Sequence, residues 1–581
     1  MKPRILFIDH SYHTKTKSAD FFVEFLKRIG HLTIELDDCW QDGIIRKNYI
    51  SIVNNYDLVI VWQLPEVIRH IAEFYTGNLV FIPMYDAAHT LSRHFWKRLK
   101  NVKIVCFSAA MKARCSSYHL DTFHLQFYPE NATQATTGYD PKKLFFWQRR
   151  VWPNWHTVMD SLQTSQFKKM HHHLALDPGI ESNLGPVPSE LAMGNITQSS
   201  WFENKDELLE KLSEFNVFFV PRKLEGIGFS FLDAMCLGLV PIGLNSPTYN
   251  EYVVDGINGF FICDGRSLDL PALAPISVAL LHYMGKGRKN YDRKLELLRF
   301  FLFKSVISPN YFLPSLLREL LHKRVMTKIT KKRKLYKGTA PLITLVTVVR
   351  NDAVGLSRTF ESVFNQTFSD YEYIVIDGKS TDNTMNLVSA HSCSIDKCVS
   401  EEDAGPYDAM LKAARLARGR YIMFMNAGDE FAESTALEDA IECSPEQIDI
   451  IYGHHYYIQK GRTKVHLARN LDSTYKELKE GQLSLSWLIG IPCHQATLVK
   501  RELLLRNGFD SNLRIAADHA FLFEACSQGC SNYHTNTFIT KYHSGGFSSR
   551  TKSLCHAEWK KIALSHSEDS DAVQLFYSKL R

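Results

Sequence analysis

Short apolar runs alternate with amphipathic stretches through the first ~120 residues of the chain. The apolar runs predict strands at 4–8, 32–36, 56–62, 78–83 and 102–108. Between the first two, residues 19–29 place apolar side chains on one helical face and end at a Gly-His pair. Strands that alternate with helices in this way are typical of a parallel α/β sheet.

The same pattern resumes after residue 142. Strands are expected at 143–147, 217–220, 239–243 and 259–263, and a helix is expected to begin near Gly228. Two Rossmann-like units in series, 1–125 and 126–310, are the simplest architecture that fits. Such units bind ligands at the carboxyl edges of their strands, which predicts a ligand cleft between the two.

Residues 311–340 have a different composition. Five leucines lie on one helical face, and the basic run Lys331–Lys334 follows them: Leu313, Leu316, Leu317, Leu320 and Leu321. One interpretation is a solvated linker helix that packs on a neighbouring domain. The other is a basic amphipathic segment, 311–334, that touches anionic lipid.

A further α/β domain is expected from residue 341 to residue 546, starting with a strand at 342–349 and followed by a polar tail at 547–581. The predicted fold class is therefore α/β throughout, with two Rossmann-like units joined by a basic helical linker to a third α/β domain. A chain of 581 residues is long enough for three or four compact units.

Composition limits the function classes. The net charge of +6 is small for this length, so nucleic-acid binding is not expected. Twelve cysteines form no CxxC pair, which is consistent with reduced thiols. The chain begins with a predicted strand rather than a leader, and no apolar run reaches the ~18 residues of a membrane span. We expect a cytoplasmic protein, free or peripheral at the inner face of a membrane; a homo-oligomer is left open.

Polar side chains follow two buried strands of the third domain. The strand at 373–377 ends in Asp377-Gly-Lys-Ser-Thr-Asp382, which places carboxylates at the ligand-binding edge of the sheet. Asp377 is suited to a base or ribose. Asp382 is a candidate at the same edge, although it is also suited to cap the next helix. Taken alone, the segment also fits a purely structural strand-turn-helix.

The strand at 420–425 ends in Asn426-Ala-Gly-Asp429. Carboxylate and amide oxygens at this position are the ligands that Mg²⁺ and Mn²⁺ prefer beside a diphosphate. We therefore expect a divalent cation at Asn426 and Asp429. Further on, His494 and Gln495 are either acceptor-site groups or satisfied core residues, and Asp518 is either a catalytic carboxylate or a helix N-cap.

In this order, the motifs of residues 341–546 resemble those of inverting glycosyltransferases of family 2, which have the GT-A fold. The resemblance implies that Asp377 and Asp403 contact the nucleotide, that the segment 426–429 holds the metal, and that Asp518 is the catalytic base. The chain departs from the family where Asn426-Ala-Gly stands in place of Asp-x-Asp.

A second constellation follows the strand at 217–220. Glu225 lies in a glycine-containing loop, Gly228 marks the start of a helix, and Asp233 lies about two turns into it. Backbone N–H groups at a helix start bind phosphates well. Glu225 also fits a loop acid with no functional partner.

The stretch at about 215–260 resembles the nucleotide-binding half of retaining glycosyltransferases of family 4, which have the GT-B fold. The resemblance implies that Glu225 faces the donor sugar, Asp233 the ribose, and Arg149 and Arg150 the diphosphate, with no metal in this module. The family has Glu where Asp233 stands, and its glycine-rich loop is replaced here by residues 10–13, His-Ser-Tyr-His.

The leading hypothesis is a bifunctional glycosyltransferase of bacterial surface-polysaccharide synthesis, of the O-antigen, lipopolysaccharide or capsule type. It would take nucleotide-sugar donors, UDP-sugars first, and extend a lipid-linked glycan, with retention in the first module and inversion in the second. One alternative keeps only the second activity and makes the first module a glycan- or partner-binding unit. A sensor or scaffold without turnover is the third hypothesis.

Overall fold

The computed structural model describes residues 2–130, 138–177, 196–262, 267–303, 340–442, 444–546 and 551–580. The chain divides into two compact units, Met1–Pro309 and Asn310–Arg581. The first unit contains the two predicted Rossmann-like sheets, and the second contains the third α/β domain. The α/β class is confirmed in each of them.

The first sheet of the first unit has six parallel strands among the described residues, in the order β2-β1-β3-β4-β5-β6. They are β1 (Arg4–Asp9), β2 (His31–Leu36), β3 (Leu58–Trp62), β4 (Leu79–Ile82), β5 (Lys103–Cys106) and β6 (Thr122–His124). The interior residues of β1, β3, β4 and β5 are fully buried. A continuous apolar run is what a strand covered on both faces requires.

The second sheet also has six parallel strands in the described part of the chain, in the order β12-β11-β10-β7-β8-β9. They are β7 (Lys143–Gln148), β8 (Lys169–Leu174), β9 (Ile196–Ser199), β10 (Val217–Phe219), β11 (Val240–Leu244) and β12 (Phe260–Ile262). β8 contains three consecutive histidines, so its sequence carries no apolar strand pattern.

Helices cover the faces of both sheets. In the first unit they are Tyr12–Thr16, Asp20–Ile29, Tyr49–Ile52, Pro65–Phe74, Tyr85–Ala88, Arg93–Arg98, Ala109–Ser116, Trp155–Ser161, Lys205–Ser213, Phe229–Cys236 and Leu273–Phe303. One apolar cluster of buried side chains includes residues from both sheets, such as Phe7 of β1 and Phe218 of β10. The two halves of this unit therefore share part of their core.

The second unit is built on a mixed nine-stranded sheet, counted over its described residues, in the order β15-β14-β13-β16-β20-β18-β21-β17, with β19 beside β18. Its strands are β13 (Ile343–Val349), β14 (Tyr371–Asp377), β15 (Lys397–Ser400), β16 (Tyr421–Phe424), β17 (Glu430–Phe431), β18 (Ile450–Gln459), β19 (Arg462–His466), β20 (Thr497–Lys500) and β21 (Asn532–His543). β13 to β16 run parallel, so their carboxyl ends share one edge.

The helices of the second unit include two in the segment expected to be a polar tail. In order they are Ala353–Phe364, Thr384–Ala390, Pro406–Leu416, Ala436–Ile441, Leu471–Lys479, Leu485–Ile489, Arg501–Asn507, Ala517–Ser527, Lys552–His566 and Ser570–Lys579. Ile562 and Val573 of the last two helices pack in one apolar cluster with Trp487 and Phe523. Residues 551–580 are therefore part of this unit's core rather than a tail beyond residue 546.

The predicted linker helix, 311–340, lies outside the described residues except for Ala340. Within the described ranges, every helix falls short of the length or the apolar character needed to cross a bilayer.

Candidate functional site

Two arginines and an aspartate lie at the carboxyl edge of the second sheet. Arg149 and Arg150 follow β7, and Asp177 follows the neighbouring β8. Nη2 of Arg149 lies 2.7 Å from Oδ1 of Asp177, and Nε of Arg150 lies 2.9 Å from Oδ2. Both predicted diphosphate contacts therefore meet on one carboxylate, which fixes the orientation of their guanidinium groups.

Arg222, which follows β10, connects this group to Glu225. Its Nη1 lies 3.6 Å from Oε2 of Glu225 and 3.3 Å from Oδ2 of Asp86, a residue of the first sheet's half. Its Nε lies 3.7 Å from Oδ2 of Asp177. Side chains from both halves of the unit therefore meet in one cluster, at the place where two Rossmann-like units predict a ligand cleft.

Glu225 is only 3% exposed, and its Oε1 has no hydrogen-bond partner. Burial raises the pKa of this carboxyl, and the charges of Arg222 and Arg149 oppose that shift. A buried unpartnered carboxylate oxygen is costly unless a ligand satisfies it. Oε1 of Glu225 can therefore accept a hydrogen bond from a bound ligand.

The glycine segment after Glu225 allows a close approach of the backbone. Gly228 has φ +87°, in the left-handed region that favours glycine, and a Cβ there would lie 1.9 Å from the Phe231 ring. It precedes the helix Phe229–Cys236, in which Asp233 is buried and accepts a hydrogen bond from Nζ of Lys205 at 2.9 Å. A ribose at Asp233 would have to share that carboxylate with Lys205.

The end of β1 and the segment after it carry three polar side chains that are almost fully buried: Asp9, His10 and His13. Nδ1 of His13 lies 2.7 Å from Oδ1 of Asp9, and the His10 and His13 ring centroids are 3.8 Å apart. Burial, followed by the charge of His13, lowers the pKa of His10 to about 4. Tyr12 of this segment interacts electrostatically with Asp177 and the arginines around it, so the segment faces the same cleft.

The second unit has its own carboxylate cluster at the edge of β14. Oδ2 of Asp377 accepts hydrogen bonds from Oγ of Ser400 at 2.6 Å and N of Ser380 at 3.0 Å, while its buried Oδ1 has no partner. A Cβ added at Gly378 would lie 2.6 Å from Oδ2 of Asp403. The Asp403 carboxylate therefore lies beside Gly378, the residue that follows Asp377.

Asp382 has a different environment. It is exposed and accepts hydrogen bonds from N of Thr384 at 3.0 Å and N of Ala353 at 3.2 Å. The Thr384 side chain is the main cause of the lowered pKa of Asp382. The N-cap of the helix Thr384–Ala390 is Asn383, without a side-chain cap hydrogen bond, so Asp382 is not its N-cap. The nucleotide role of Asp382 stays a prediction.

Asp518 lies in the first turn of the helix Ala517–Ser527, two residues past the N-cap position at Ala516. Its Oδ2 lies 2.6 Å from Nδ1 of His494, and its Oδ1 accepts a hydrogen bond from the Tyr407 hydroxyl at 3.0 Å. Burial alone would raise the pKa of this carboxyl, but His519 and His494 lower it overall. Oδ1 of Asp518 also accepts a hydrogen bond from N of His519 at 3.0 Å. The N-cap alternative for Asp518 is wrong, because Ala516 is the N-cap of this helix.

His494 joins Asp518 to the predicted metal segment. Its Nε2 lies 3.0 Å from Nδ2 of Asn426, so the amide donates to that ring nitrogen and Nδ1–H donates to Asp518. This pairing fixes the tautomer. It also turns Oδ1 of Asn426 away from His494, and that oxygen is buried without a partner. A cation is one group that would satisfy it.

Asp429 is deeply buried. Its Oδ2 accepts from Nε2 of Gln495 and its Oδ1 from N of His543, both at 3.0 Å. Burial raises the pKa of Asp429 to about 6, although these hydrogen bonds oppose the shift. Gln495 is thus a satisfied buried residue here, and its predicted acceptor role is untested. A cation at Asp429 would use the remaining lone pairs of the carboxylate.

One residue of the C-terminal helices supports this site. Glu558, buried in the helix Lys552–His566, accepts hydrogen bonds from N of Arg514, Ile515 and Ala516 at 2.8, 2.9 and 2.9 Å. These amides precede the helix that carries Asp518. Nothing local in the sequence around Glu558 indicates this role.

Sequence reasoning missed several residues of both sites: Asp86, Asp177, Arg222, Tyr407, Glu430 and His543. Arg222 follows β10, a predicted strand that ends at the same edge as β7, so the edge rule would have found it. Asp177 follows β8, which was not predicted, so the same rule could not be applied to it. His543 lies 2.7 Å from Oε1 of Glu430, at the end of β21, which was not predicted. The histidine groups 171–173 and 454–455 are buried in β8 and β18.

Two family descriptions match the chain. Residues 344–507 match Glycosyl transferase family 2, and residues 190–270 match Glycosyl transferases group 1. The two matched segments lie in different units and include the residues around Asp377, Asp403 and Asn426 in one and around Glu225 and Asp233 in the other.

Curated relatives agree in class. A PGL/p-HBAD biosynthesis glycosyltransferase of Mycobacterium tuberculosis is 29% identical over 119 residues, which are 20% of this chain and 46% of that protein. A chondroitin synthase of Escherichia coli is 31% identical over 125 residues, 21% of this chain and 18% of the synthase. The chain thus spans about half the length of the mycobacterial relative.

The chain is similar to the solved structure of S. aureus TarS 1–349 in complex with UDP. The two are 14% identical, the match covers 41% of this chain and 70% of TarS 1–349, and the TM-score is 0.30. Another similar structure is the mannosyltransferase PcManGT of Pyrobaculum calidifontis in complex with GDP-Man and Mn²⁺, at 18% identity, 43% and 71% coverage and a TM-score of 0.28. Each unit therefore contains a segment that matches a glycosyltransferase family description, group 1 in the first and family 2 in the second.

Proposed function

We propose that the chain transfers two sugars, one at each site, from nucleotide-sugar donors to a growing glycan. The observation that carries this proposal is the presence in each unit of a buried carboxylate with an unpartnered oxygen at the carboxyl edge of a sheet: Glu225 in the first and Asp377 in the second. Ligand sites of α/β sheets lie at this edge.

In the second unit, which we assign to the GT-A class, Asp377 and Asp403 bind the nucleotide. Asp518 accepts the proton of the acceptor hydroxyl as that oxygen attacks the anomeric carbon from the face opposite the departing diphosphate, which inverts the configuration. His494 orients Asp518 through its Nδ1–H. Asn426 and Asp429 would hold a divalent cation, which when bound supplies positive charge to the leaving diphosphate.

In the first unit, which we assign to the GT-B class, the arginines at 149, 150 and 222 bind the donor diphosphate. Guanidinium groups suit phosphates because their N–H donors match two oxygens at once. Glu225 faces the donor sugar, and transfer here retains the anomeric configuration. Tethering the two sites in one chain raises the effective concentration of the first product at the second site.

The acceptor in this proposal is a lipid-linked glycan of bacterial surface-polysaccharide synthesis, extended at the inner face of the membrane. UDP-sugars are the first donors to test. The alternative, in which only the second unit is active, is favoured by one observation: Lys205 already occupies Asp233, the predicted ribose contact.

Two single variants test the proposal. Glu225→Gln is expected to abolish sugar transfer at the first unit and to leave transfer at the second unit. Asp518→Asn is expected to leave the first transfer and to lower kcat of the second by about 10²–10⁴-fold, as for removal of a general base. Products are read by mass spectrometry of a labelled lipid-linked acceptor. Asp571→Asn, on an exposed position of the last helix, is the control. If Glu225→Gln transfers both sugars normally, the bifunctional proposal fails.

A further inference from the structure

Asp9, His10 and His13 form a buried cluster at the end of β1. Their exposed fractions are 4%, 8% and 8%, and one ligand atom from each lies within 4.8 Å of the others. β1 ends at Asp9, and the short helix Tyr12–Thr16 returns His13 to within 2.7 Å of the Asp9 carboxylate. The cluster therefore combines two imidazoles and a carboxylate at the carboxyl edge of the first sheet.

The polar atoms of this cluster are not all satisfied. Oδ1 of Asp9 accepts a hydrogen bond from the backbone N of His10 at 2.8 Å and lies beside Nδ1 of His13. Nδ1 of His10 is buried and has no hydrogen-bond partner. Buried ring nitrogens normally have partners, and a group bound beside the second imidazole and the carboxylate would supply one to Nδ1 of His10.

The donor set selects the chemistry of that group. Imidazole nitrogen with one carboxylate suits Zn²⁺ and neighbouring divalent transition metals, whereas Mg²⁺ and Ca²⁺ prefer sites made wholly of oxygen. We propose that Asp9, His10 and His13 bind one divalent transition-metal ion, with Zn²⁺ as the probe. This site goes beyond the proposed function, and ion binding holds or fails independently of sugar transfer.

The site's position indicates what the ion would meet. Tyr12, between the two histidines, interacts electrostatically with Asp177, Arg149 and Arg222, so the loop lies at the cleft that holds the arginines. A zinc ion with three protein ligands keeps a fourth position for water or substrate. That position would be open to an oxygen of a ligand in the cleft of the first unit.

Zinc binding is measured on the full chain after treatment with a chelator. Bound Zn²⁺ is measured by competition with a chromophoric chelator. We expect the wild type to bind one more equivalent of Zn²⁺ than the His10→Gln/His13→Gln double variant. Co²⁺ should give visible ligand-field absorption in the wild type only. Excess Mg²⁺ should not displace either ion, which separates this site from the oxygen-rich one proposed at Asn426 and Asp429.

Single variants keep the test decisive if the double variant misfolds. Asp9→Asn removes the negative charge with little change of shape and should weaken Zn²⁺ binding at least tenfold, with circular dichroism unchanged. His94→Gln, at an exposed position of the helix Arg93–Arg98, is the control for surface histidines and should leave binding unchanged. Equal Zn²⁺ stoichiometry and affinity in the wild type, Asp9→Asn and His10→Gln would overturn the proposal.

Discussion

At the scale of single residues, each proposed site depends on buried polar groups that are only partly satisfied. His494 and Tyr407 occupy both oxygens of Asp518 and so hold the carboxylate in one orientation. A carboxylate whose pKa is lowered stays ionised at neutral pH, so it can accept a proton, but it binds that proton weakly. In the proposed reaction the proton passes to Asp518 only while the hydroxyl is attacking.

Gly378 provides a test of the nucleotide site that leaves both carboxylates in place. The variant Gly378→Ala puts a Cβ 2.6 Å from Oδ2 of Asp403 and 3.3 Å from Cδ of Arg350, so the Asp403 side chain must move. Losing one hydrogen bond of about 1–1.5 kcal/mol should weaken nucleotide binding roughly tenfold. Isothermal titration with UDP measures this.

Gly285 supplies the matched control for that change. It lies in the helix Leu273–Phe303 of the first unit, and a Cβ added there meets nothing within 4 Å. Gly285→Ala should leave UDP binding by the second unit unchanged and raise stability slightly, because alanine favours the helix. UDP affinity in Gly378→Ala equal to that of the wild type would show that Asp403 does not contact the nucleotide.

At the scale of elements, Glu251 links the two halves of the first unit. From the short helix Tyr249–Glu251 it accepts hydrogen bonds from N of Ala109 and Ala110, at 2.6 and 2.9 Å, at the start of the helix Ala109–Ser116. Burial raises its pKa to about 7, although these hydrogen bonds oppose the shift. One carboxyl that titrates near neutral pH thus joins elements of both sheets.

The sign of the pH effect follows from this shift. Between the ordinary glutamate pKa, near 4.5, and the folded value, near 7, the native protein holds a proton that the unfolded chain has released. The stability contributed by Glu251 is therefore fully present below pH ~4.5 and is lost as pH rises through 7, by about 3 kcal/mol as an order of magnitude.

The variant Glu251→Gln removes this titration. Amide hydrogen exchange at residues 109 and 110 reports the local free energy of opening. We expect the free energy of opening in the wild type, minus that in the variant, to fall as pH rises from 5 to 8. Glu73→Gln, at the exposed end of the helix Pro65–Phe74, should show no such slope. A difference that stays constant with pH would mean that Glu251 is ionised throughout.

The elements that the sequence predicted are those whose own pattern carries the signal. β1, β3, β10 and β13 are continuous apolar runs, and each lies within one or two residues of its predicted bounds. β8 was missed because three histidines interrupt any apolar pattern, although neighbouring side chains satisfy them: His171 bonds Thr197 and Ser199. Such partners are distant in sequence, so no local pattern reveals them.

The same reason applies to the site. Asp377 is a candidate because it ends a recognisable strand, and Asp403 and Asp518 are candidates because of the family resemblance; their roles stay predictions. The support that Glu558 gives to the loop before Asp518 spans more than 40 positions of sequence, with separations of 42 to 44. Its helix was taken for a polar tail because packing against Phe523 and Trp487 is visible only in the folded unit.

At the scale of the whole molecule, the positive charge is concentrated in one short segment of the sequence. Residues 311–340 contain nine lysines and arginines and one acidic residue, a net charge of +8, which exceeds the +6 of the entire chain. The remainder of the protein is therefore slightly acidic. An anionic membrane surface would attract this segment specifically, while the rest of the chain would not contribute.

Reversing the charge of Lys331–Lys334 tests the membrane proposal. Each basic residue near an anionic surface contributes about 1 kcal/mol, so replacing these four with glutamate should reduce flotation with anionic liposomes by more than tenfold. Neutral liposomes should bind neither protein strongly if charge dominates. Binding by the wild type should also weaken at high salt, because added ions screen exposed charges.

The control must change the net charge equally while leaving the segment intact. Four exposed lysines elsewhere are suitable for reversal together: Lys27, Lys97, Lys100 and Lys476. If net charge alone drives attraction, this control loses liposome binding as completely as the Lys331–Lys334 variant, and the segment has no special role. If only the Lys331–Lys334 variant loses binding, the attraction is local. Equal flotation of the wild type and both variants would contradict membrane binding through this charge and leave the solvated-linker interpretation.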